Sequence, residues 1–432
     1  MKFHSTRGGV SSIRLEQAIV EGLAPDGGLY LPNRIPKLSK QFLTALPSKK
    51  YWQVAEGMLQ PFMAEVSKQR LRRIVKEAFT FDVPMKQLED DLYVVELFHG
   101  PTLSFKDFGA RFFARLLQSF IEKEKTQVNI IVATSGDTGS AVASGFLDIP
   151  NIHVYMLYPQ KRVSKLQEQQ LTTYGHNITA LEVLGKFDDC QKLAKTALAM
   201  RQSKSGAYLS SANSINLGRL LPQSVYYAYA TAELKRQGVE EQPRFVVPSG
   251  NFGNLTGGLL AKRMGVPIAG FVAATNANNV VPSYLKTGRF KPRVSKATLS
   301  NAMDVGNPSN FSRMLALYQH KRSAMAKDIA GIAVSDAETI ASITAIYKRY
   351  GYLVDPHTAV GIAAAKTYRR THPEKGPLVV LSTAHPAKFK ATVEAATHKR
   401  MKLPRALALV AKKKKKSVVV GNSIAEVMAV VR

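Results

Sequence analysis

One lysine of the sequence lies in a setting that suits covalent chemistry. Lys106 stands between Phe105 and Phe108 and directly precedes Asp107, in the stretch SFKDF. A lysine that packs among aromatic side chains is partly desolvated, and desolvation favours the neutral amine. A neutral amine is a nucleophile that can bond covalently to a carbonyl group. These neighbours predict a reactive lysine at the start of a helix.

Three other segments place small polar residues directly after apolar, strand-like stretches. They read VATSGDTGSA (132–141), VPSGNFGNLTGG (247–258) and LSTAHPAKF (381–389). In open parallel sheets, ligands bind just beyond the carboxyl ends of strands. We therefore expect the three loops to converge on one ligand.

The second of these loops predicts a phosphate site without a basic side chain. Its polar and small residues are uncharged: Ser249, Gly250, Asn251, Gly253 and Asn254. Small residues let backbone N–H groups approach an anion, and the N-terminus of the following helix adds a favourable dipole. The pattern is neither a P-loop nor a Gly-x-Gly-x-x-Gly dinucleotide motif. A tight strand–helix turn is the alternative. Combined with Lys106, the loop indicates pyridoxal phosphate, which needs a lysine and a phosphate site.

Strand-like and helix-like segments alternate along most of the chain. The apolar run at 92–98 predicts a strand, and apolar spacing over 108–121 predicts a helix for which Asp107 fits the N-cap position. Further β-rich segments lie at 128–132, 154–157, 178–185, 245–247, 268–273 and 378–381. The alternation predicts an α/β fold with mostly parallel sheets.

The composition is that of a globular chain with a sizeable core. Its 432 residues suggest two or three domains, and 45% of them are hydrophobic. No run approaches the ~18 apolar residues of a membrane helix, and the first residues lack the apolar segment of a secretory signal. Cys190 is the single cysteine, which excludes an internal disulfide. We expect a cytoplasmic protein without a membrane partner.

The charge raises the question of a nucleic-acid partner. Sixty Lys and Arg residues against 31 Asp and Glu residues give a net charge of +29. Nucleic-acid-binding proteins are basic because they contact phosphates. Here the excess is scattered apart from a lysine run at 412–416, without zinc-finger or aromatic RNA-binding signatures. We interpret the charge as a solvated basic surface and do not expect a nucleic-acid partner. A basic nucleic-acid-binding protein is the alternative function from a different class of protein.

Nine segments, in order along nearly the whole chain, resemble the threonine synthase family. The two most specific are HGPTLSFKDFG (99–109) and PSGNFGN (248–254). The others are STRG (5–8), APDGGLYLP (24–32), ATSGDTGSA (133–141), NSINLGRLLPQ (213–223), LSNAMDVGNPSNF (299–311), DPHTAVG (355–361) and STAHPAKF (382–389). The resemblance implies an α/β pyridoxal-phosphate enzyme of fold type II, with two open, mostly parallel sheets flanked by helices and an extra N-terminal domain.

The resemblance also implies a domain division and a reaction. We expect an N-terminal domain at 1–90, a catalytic core at 91–400 with a smaller subdomain at about 100–220, and a peripheral basic tail at 401–432. The family converts O-phospho-L-homoserine and water to L-threonine and phosphate, the last step of threonine biosynthesis. The alternative is a related pyridoxal-phosphate lyase that releases 2-oxobutyrate. We expect a monomer or a homodimer.

Site residues follow by matching this sequence to the family motifs. Lys106 matches the lysine that bonds to pyridoxal 5'-phosphate and moves protons. The cofactor's phosphate loop corresponds to Gly250, Asn251, Phe252 and Asn254. Thr383 matches a hydroxyl residue at the pyridine nitrogen. The candidates for the substrate's carboxylate or phosphate are Ser135, Thr138 and Arg219. No His, Cys or Asp spacing suggests a metal.

Asp137 is a departure from the wider fold, in which many relatives carry Asn beside the cofactor's phenolic oxygen. An ionised carboxylate there would repel a phenolate. Asp137 is therefore protonated, hydrogen-bonded elsewhere or turned away, and we do not assign it to cofactor binding. The histidines His99, His357 and His385 also lie in family-like motifs, and we interpret them as packed, hydrogen-bonding residues.

Overall fold

The computed structural model describes residues 1–122, 125–373 and 376–431. Arg432, the last residue of the predicted tail, lies outside the described residues. Among the described helices, none combines the length and apolar character that a membrane span needs.

The first 80 residues form a small antiparallel sheet and four helices. Ser39 and Ser67 begin two of these helices because each side-chain oxygen accepts a hydrogen bond from a backbone N–H in the first turn. The elements are β1 (Lys2–Ser5), β2 (Ile13–Arg14), α1 (Leu15–Glu21), β3 (Tyr30–Pro32), α2 (Lys40–Thr44), α3 (Tyr51–Leu59) and α4 (Lys68–Ala78). Strand β1 is the centre of this sheet and pairs with β2 and β3.

Strands and helices alternate through the middle of the chain. The strands at 92–96 and 128–133 are buried along their whole length, which explains their continuous apolar sequences. The elements are β4 (Met85–Glu89), β5 (Leu92–Glu96), α5 (Lys106–Ile121), β6 (Val128–Ala133), α6 (Asp137–Phe146), β7 (Ile152–Pro159), α7 (Lys165–Thr172), β8 (Ile178–Val183), α8 (Phe187–Ala199), β9 (Tyr208–Ser210), α9 (Leu217–Leu220) and α10 (Val225–Arg236).

The alternation continues in the last part of the chain. Helix ends follow local signals here: Asp355 caps a helix whose first residue is Pro356, and Ser335 with Glu338 forms a capping box. The elements are β10 (Arg244–Pro248), α11 (Gly253–Met264), β11 (Gly270–Thr275), α12 (Val280–Thr287), α13 (Phe311–Leu317), α14 (Arg322–Asp328), β12 (Ile329–Ala333), α15 (Asp336–Tyr350), α16 (Pro356–Thr371), β13 (Leu378–Ser382), α17 (Lys390–Thr397), α18 (Arg405–Ala411), β14 (Val418–Val420) and α19 (Ile424–Val430).

Two larger sheets confirm the predicted α/β fold with mostly parallel strands. The six-stranded sheet has the order β12-β11-β10-β13-β5-β4, and only β4 is antiparallel to its neighbour. The five-stranded sheet has the order β14-β8-β7-β6-β9 and is parallel throughout. Strand β10 lies between β11 and β13. The chain passes from β10 to β11 on one side and later adds β13 on the other side, so the direction in which strands are added reverses between β10 and β13. A crevice for ligands forms at such a reversal.

The C-terminal segment differs from the peripheral tail that the sequence suggests. Strand β14 adds to the five-stranded sheet by pairing with β8. In the lysine run, Lys415 lies 2.7 Å from a carboxylate oxygen of Glu168 and 2.5 Å from one of Glu182. These partners are over 230 residues away in sequence, so local charge patterning gives no sign of them.

A buried arginine ties the N-terminal sheet to the rest of the molecule. Arg313 is fully buried and donates to the backbone carbonyls of Tyr30 (3.0 Å), Ser214 (3.0 Å) and Ile215 (2.5 Å). It also donates to the side chain of Asn310 at 2.7 Å. The guanidinium thereby satisfies backbone carbonyls from two distant parts of the chain and one side chain near its own helix.

Replacing Arg313 with methionine is expected to destabilise the fold by at least about 2 kcal/mol, because several buried carbonyls lose their donor. Urea unfolding followed by circular dichroism measures the change. Arg73→Met, on the exposed face of α4, is the matched control and should change stability little. Equal stability of the two variants would contradict the bridging role of Arg313.

Candidate active site

A cavity lies where the loops after β6, β10 and β13 meet the start of α5. It encloses about 1060 Å³, counting the space at its open mouth. Every residue that the sequence predicted to bind cofactor or substrate lines this cavity, namely Lys106, Ser135, Thr138, Arg219, Gly250, Asn251, Phe252, Asn254 and Thr383. The three loops therefore converge as expected, since the carboxyl ends of parallel strands share one edge of a sheet.

Lys106 is the first residue of α5 and lines the cavity, and its side-chain amine has no hydrogen-bond partner among the described residues. Burial lowers the pKa of Lys106 to about 8. The carboxylate of Asp137 acts in the opposite direction, and the cations of Arg219 and Lys388 lower the pKa further. Roughly one fifth of the amine is thus neutral at about pH 7.4, far more than for an ordinary lysine, and the neutral form is the nucleophile.

The predicted N-cap role of Asp107 is wrong. The helix begins at Lys106, and Asp107 lies inside its first turn. Its carboxylate instead accepts hydrogen bonds from the backbone N–H of Thr102 (2.9 Å) and the Thr102 hydroxyl (2.7 Å). Burial raises the pKa of Asp107 to about 6, against the effect of the two hydrogen bonds. The carboxylate fixes the turn that leads into the lysine.

The loop at 250–254 presents backbone donors to the cavity. The N–H groups of these five residues have no hydrogen-bond partner within the described parts of the chain. Phe252 adopts a left-handed conformation (φ 59°) directly before α11, so the loop ends at a helix N-terminus. Free N–H groups at such a terminus attract a phosphate without any basic side chain.

The two asparagines of this loop hold its shape with their side chains. Asn251 donates to the Ser214 hydroxyl and accepts from the Ser309 N–H, both at 2.6 Å. Asn254 donates to the Pro248 carbonyl at 2.8 Å and accepts from the Ser249 hydroxyl at 3.0 Å. Their side-chain amides are therefore engaged by protein partners, and the backbone N–H groups remain the free donors of the loop.

The glycines of the motif satisfy packing constraints that the sequence does not display. A Cβ at Gly250 would lie 2.6 Å from the Met303 Cα. A glycine is therefore needed here for the close approach of a neighbouring backbone segment, and not only for a ligand. A Cβ at Gly258 would lie 2.6 Å from the Phe271 ring, which makes that glycine a helix–sheet contact. The predicted phosphate site therefore consists of the backbone of 250–254 and does not include Gly258.

Thr383 supplies an uncommitted hydroxyl near the lysine. The residue is 5% exposed and lines the cavity, and its hydroxyl has no partner among the described residues. Its backbone carbonyl accepts a hydrogen bond from Phe105 N–H at 2.9 Å. This contact joins the third loop to the residue directly before Lys106.

The opposite wall carries a second set of anion donors. The Thr134 hydroxyl accepts from the N–H groups of Gly136 and Gly139, which leaves the N–H groups of Ser135 and Thr138 without a partner among the described residues. Arg219 is 4% exposed and keeps its Nε without a hydrogen-bond partner in the described chain. Burial lowers the pKa of Arg219 to about 10, so it stays a cation at neutral pH.

Asp137 is hydrogen-bonded elsewhere, which was one of the three alternatives left open by the sequence. Lys388 lies 2.9 Å from its Oδ1, and the Gln167 amide donates to the same atom at 3.3 Å. Burial opposes ionisation, but Lys388 and Lys106 outweigh it and hold the pKa of Asp137 well below its usual range. Lys388 was not predicted as a site residue, although it belongs to the third loop motif, STAHPAKF.

The three histidines of the motifs make hydrogen bonds within the protein, as interpreted from the sequence. His357 lines the cavity, and its Nε2 accepts from Ala302 N–H at 3.1 Å. The other contacts are His357 Nδ1 with Asp355 (2.6 Å), His99 with Glu96 (2.6 Å) and Ala387 N–H with His385 (3.1 Å). Among the described residues, no cluster of three or more His, Cys, Asp or Glu side chains is arranged to hold a metal ion.

These groups fit pyridoxal phosphate. The cavity offers an amine of lowered pKa, five free N–H groups at a helix N-terminus and a buried uncommitted hydroxyl. They correspond to the aldehyde, the phosphate and the pyridine nitrogen of the cofactor.

Comparisons with known proteins agree with this chemistry. Three family profiles match the chain: "Threonine synthase N terminus" at residues 2–79, "Pyridoxal-phosphate dependent enzyme" at 79–384 and "Threonine synthase, C-terminal" at 358–431. Threonine synthase from Serratia marcescens is 41% identical over 411 residues, covering 95% of this chain and 94% of that protein.

Solved structures give the same result. The crystal structure of Escherichia coli threonine synthase matches with a TM-score of 0.92 and 38% identity, covering 100% of this chain and 99% of that one. A pyridoxal-phosphate-bound threonine synthase from Brucella melitensis matches with a TM-score of 0.91 and 35% identity, covering 100% and 98%.

The lowered pKa of Lys106 predicts its reactivity in the cofactor-free protein. Acetylation of Lys106 should rise about tenfold per pH unit and level off above about pH 8, because only the neutral amine reacts. Mass spectrometry of the peptide that contains Lys106 measures the rate. Lys390, which has a 41% exposed side chain, is the internal control and should show a different pH profile. Identical profiles for the two lysines would contradict the buried setting.

Proposed function

The chain belongs to the threonine synthase family of pyridoxal-phosphate-dependent lyases, and we propose that it converts O-phospho-L-homoserine and water to L-threonine and phosphate. The proposal is carried by one observation: the Lys106 amine, the free N–H groups of 250–254 and the Thr383 hydroxyl line one cavity. Bound there, pyridoxal phosphate supplies the electron sink that stabilises a carbanion next to the substrate's amine.

Lys106 has two tasks in the proposed reaction. Its Nζ bonds to the cofactor between turnovers and, once displaced by the substrate's amine, takes the proton from the substrate's Cα. A base is most effective when its pKa lies near the working pH, and the pKa of Lys106 is about 8. Loss of a proton from Cβ then provides the electrons that expel the γ-phosphate. After Cγ has gained a proton and water has added at Cβ, the same amine returns a proton to Cα.

The cofactor would be held mostly by backbone groups. Gly250, Asn251, Phe252 and Asn254 contribute N–H groups to its phosphate, and the asparagine side chains keep the loop in shape. Thr383 would supply a hydroxyl to the pyridine nitrogen. A hydroxyl is not a counter-charge, so the ring nitrogen is less firmly protonated than it would be beside a carboxylate.

The substrate is proposed to bind between the two anion-binding walls. The N–H groups of Ser135 and Thr138 at the start of α6 suit its carboxylate. Arg219 suits its phosphate, because a guanidinium forms strong charge-assisted hydrogen bonds with phosphate oxygens. The position of Arg219 in the cavity wall supports the assignment.

We propose a domain division into residues 1–90, 91–400 and 401–432, with a smaller subdomain at about 100–220. The separate three-stranded sheet of β1 to β3 supports the first unit. Strand β4 lies at the end of this unit and pairs with β5, so its hydrogen bonds connect the first unit to the core sheet. We further propose a cytoplasmic enzyme, in keeping with a buried free cysteine, and a monomer or homodimer, which light scattering would distinguish.

The products test the proposed reaction. With O-phospho-L-homoserine as substrate, we expect threonine and phosphate in equal amounts, measured by chromatography and a phosphate assay. A lyase that stops after elimination would release 2-oxobutyrate, which lactate dehydrogenase and NADH detect. Phosphate release with 2-oxobutyrate as the main organic product would overturn the proposal in favour of that alternative.

The variant Lys106→Ala is expected to fold, bind the cofactor only noncovalently and lose at least ~10²-fold in turnover, because it lacks the acid–base group. Borohydride reduction followed by peptide mapping should fix the cofactor to Lys106 in the wild type. Lys390→Ala is the matched control and should retain both label and activity. Label on another lysine in the wild type would show that Lys106 is not the bonding residue.

A further inference from the structure

A buried ion pair crosses the cleft next to the proposed catalytic lysine. Lys388 follows β13 of the six-stranded sheet, and Asp137 begins α6 after β6 of the five-stranded sheet. Their side chains are 0% and 4% exposed, with 2.9 Å between Nζ and Oδ1. The Lys388 ammonium also donates to the Thr102 carbonyl at 2.8 Å. It therefore contacts the turn before α5 as well as the opposite wall.

Stability alone does not account for such a pair. Removing two charges from water costs about as much as their attraction returns, and apolar residues of similar volume often replace a buried pair without loss. The position of the pair is more informative. Asp137 lines the same cavity as Lys106, and the two groups interact electrostatically.

The charged groups around Lys106 come from several elements. Asp137 on α6 is the carboxylate that acts on it, and Arg219 on α9 and Lys388 after β13 are the cations. The cavity wall also contains His357 and Asp304. His357 is engaged by Asp355 and Ala302, and the Asp304 carboxylate accepts hydrogen bonds from residues 276, 278 and 298. Asp137 is thus the anion that could compete for the lysine.

We propose that Lys388 is a positioning residue whose ammonium occupies the Asp137 carboxylate and so prevents Asp137 from forming an ion pair with Lys106. The inference rests on the proposed function, in which Lys106 must be neutral both to bond to the cofactor and to take the α-proton. An unoccupied carboxylate in the same cavity would hold Lys106 as an ammonium ion, since a nearby opposite charge favours the charged form. Lys388 acts on the reaction through Asp137 and touches neither cofactor nor substrate in this role.

The test follows the bonding of pyridoxal phosphate to the cofactor-free protein by visible absorbance between about pH 6 and pH 10. The rate reports the neutral fraction of Lys106, and the wild-type midpoint is expected near pH 8. In Lys388→Met the midpoint should rise by roughly one unit, with a rate about tenfold lower at neutral pH. The control Lys390→Met alters an exposed lysine two residues away and should keep the wild-type profile.

A double-mutant cycle separates an effect through Asp137 from direct repulsion between the lysines. In Asp137→Asn the midpoint should fall, and adding Lys388→Met to that variant should move it by less than half the shift seen in the wild-type background. Equal shifts in both backgrounds would overturn the inference, as would an unchanged midpoint in a folded Lys388→Met protein.

Two further outcomes remain decisive. If Lys388→Met does not fold, Asp137→Asn decides alone, because an unchanged midpoint in that variant would show that Asp137 does not act on Lys106. If wild-type Lys106 fails to bond to the cofactor at any pH, the proposed function itself fails. That result is distinguishable from a wild type that bonds normally while Lys388→Met shows no shift.

Discussion

The constraint on which the rest of the site depends is the desolvation of one amine. Lys106 begins a helix inside a cavity, and burial is the largest influence that lowers its pKa to about 8. An exposed lysine would be almost fully charged at neutral pH and chemically inert toward a carbonyl. The surrounding structure keeps this amine buried while leaving it free of hydrogen-bond acceptors among the described residues.

The anion sites of the cavity follow from the same constraint. A basic phosphate loop would lower the pKa of Lys106 further and an acidic ring-nitrogen partner would raise it, so uncharged anion sites leave the pKa of the lysine set mainly by burial. The loop at 250–254 uses backbone N–H groups, and Thr383 contributes a neutral hydroxyl. Partial charges of this kind bind an anion at a helix terminus with little change in net charge. The asparagine side chains stabilise the loop, and the backbone N–H groups of the loop remain free.

Buried charges connect the parts of the molecule that form the site. Arg313 bonds to carbonyls of the N-terminal sheet and of the segment after β9, and Lys388 spans the cleft to Asp137. Strand β14 completes the five-stranded sheet, and Lys415 joins the same segment to Glu168 and Glu182. Lys415 contacts Glu168 of α7, and Gln167 of the same helix contacts Asp137. The C-terminal segment and the site thus share one helix.

The sequence by itself determined the fold class, the family, the cofactor and a set of residues that line the cavity. Continuous apolar strands followed by loops of small residues predicted the fold class and the convergence of the loops, because the geometry of parallel sheets brings such loops to one edge. The family and the individual site residues came from the resemblance of nine segments to family motifs. The short strands β9, β12 and β14 were not predicted, since a run of three to five residues is too short to carry a clear periodic signal.

Only the tertiary structure decided how individual side chains are used. Asp107 fitted an N-cap by position, yet its carboxylate is bound by Thr102. The sequence assigned Gly250 to a phosphate site, yet the close approach of the Met303 backbone also requires a residue without a side chain there. The partner of Asp137 is Lys388, some 250 residues further along the chain. Local patterns report propensity and period, whereas hydrogen bonds, ion pairs and steric limits depend on which distant segments folding brings within a few ångströms.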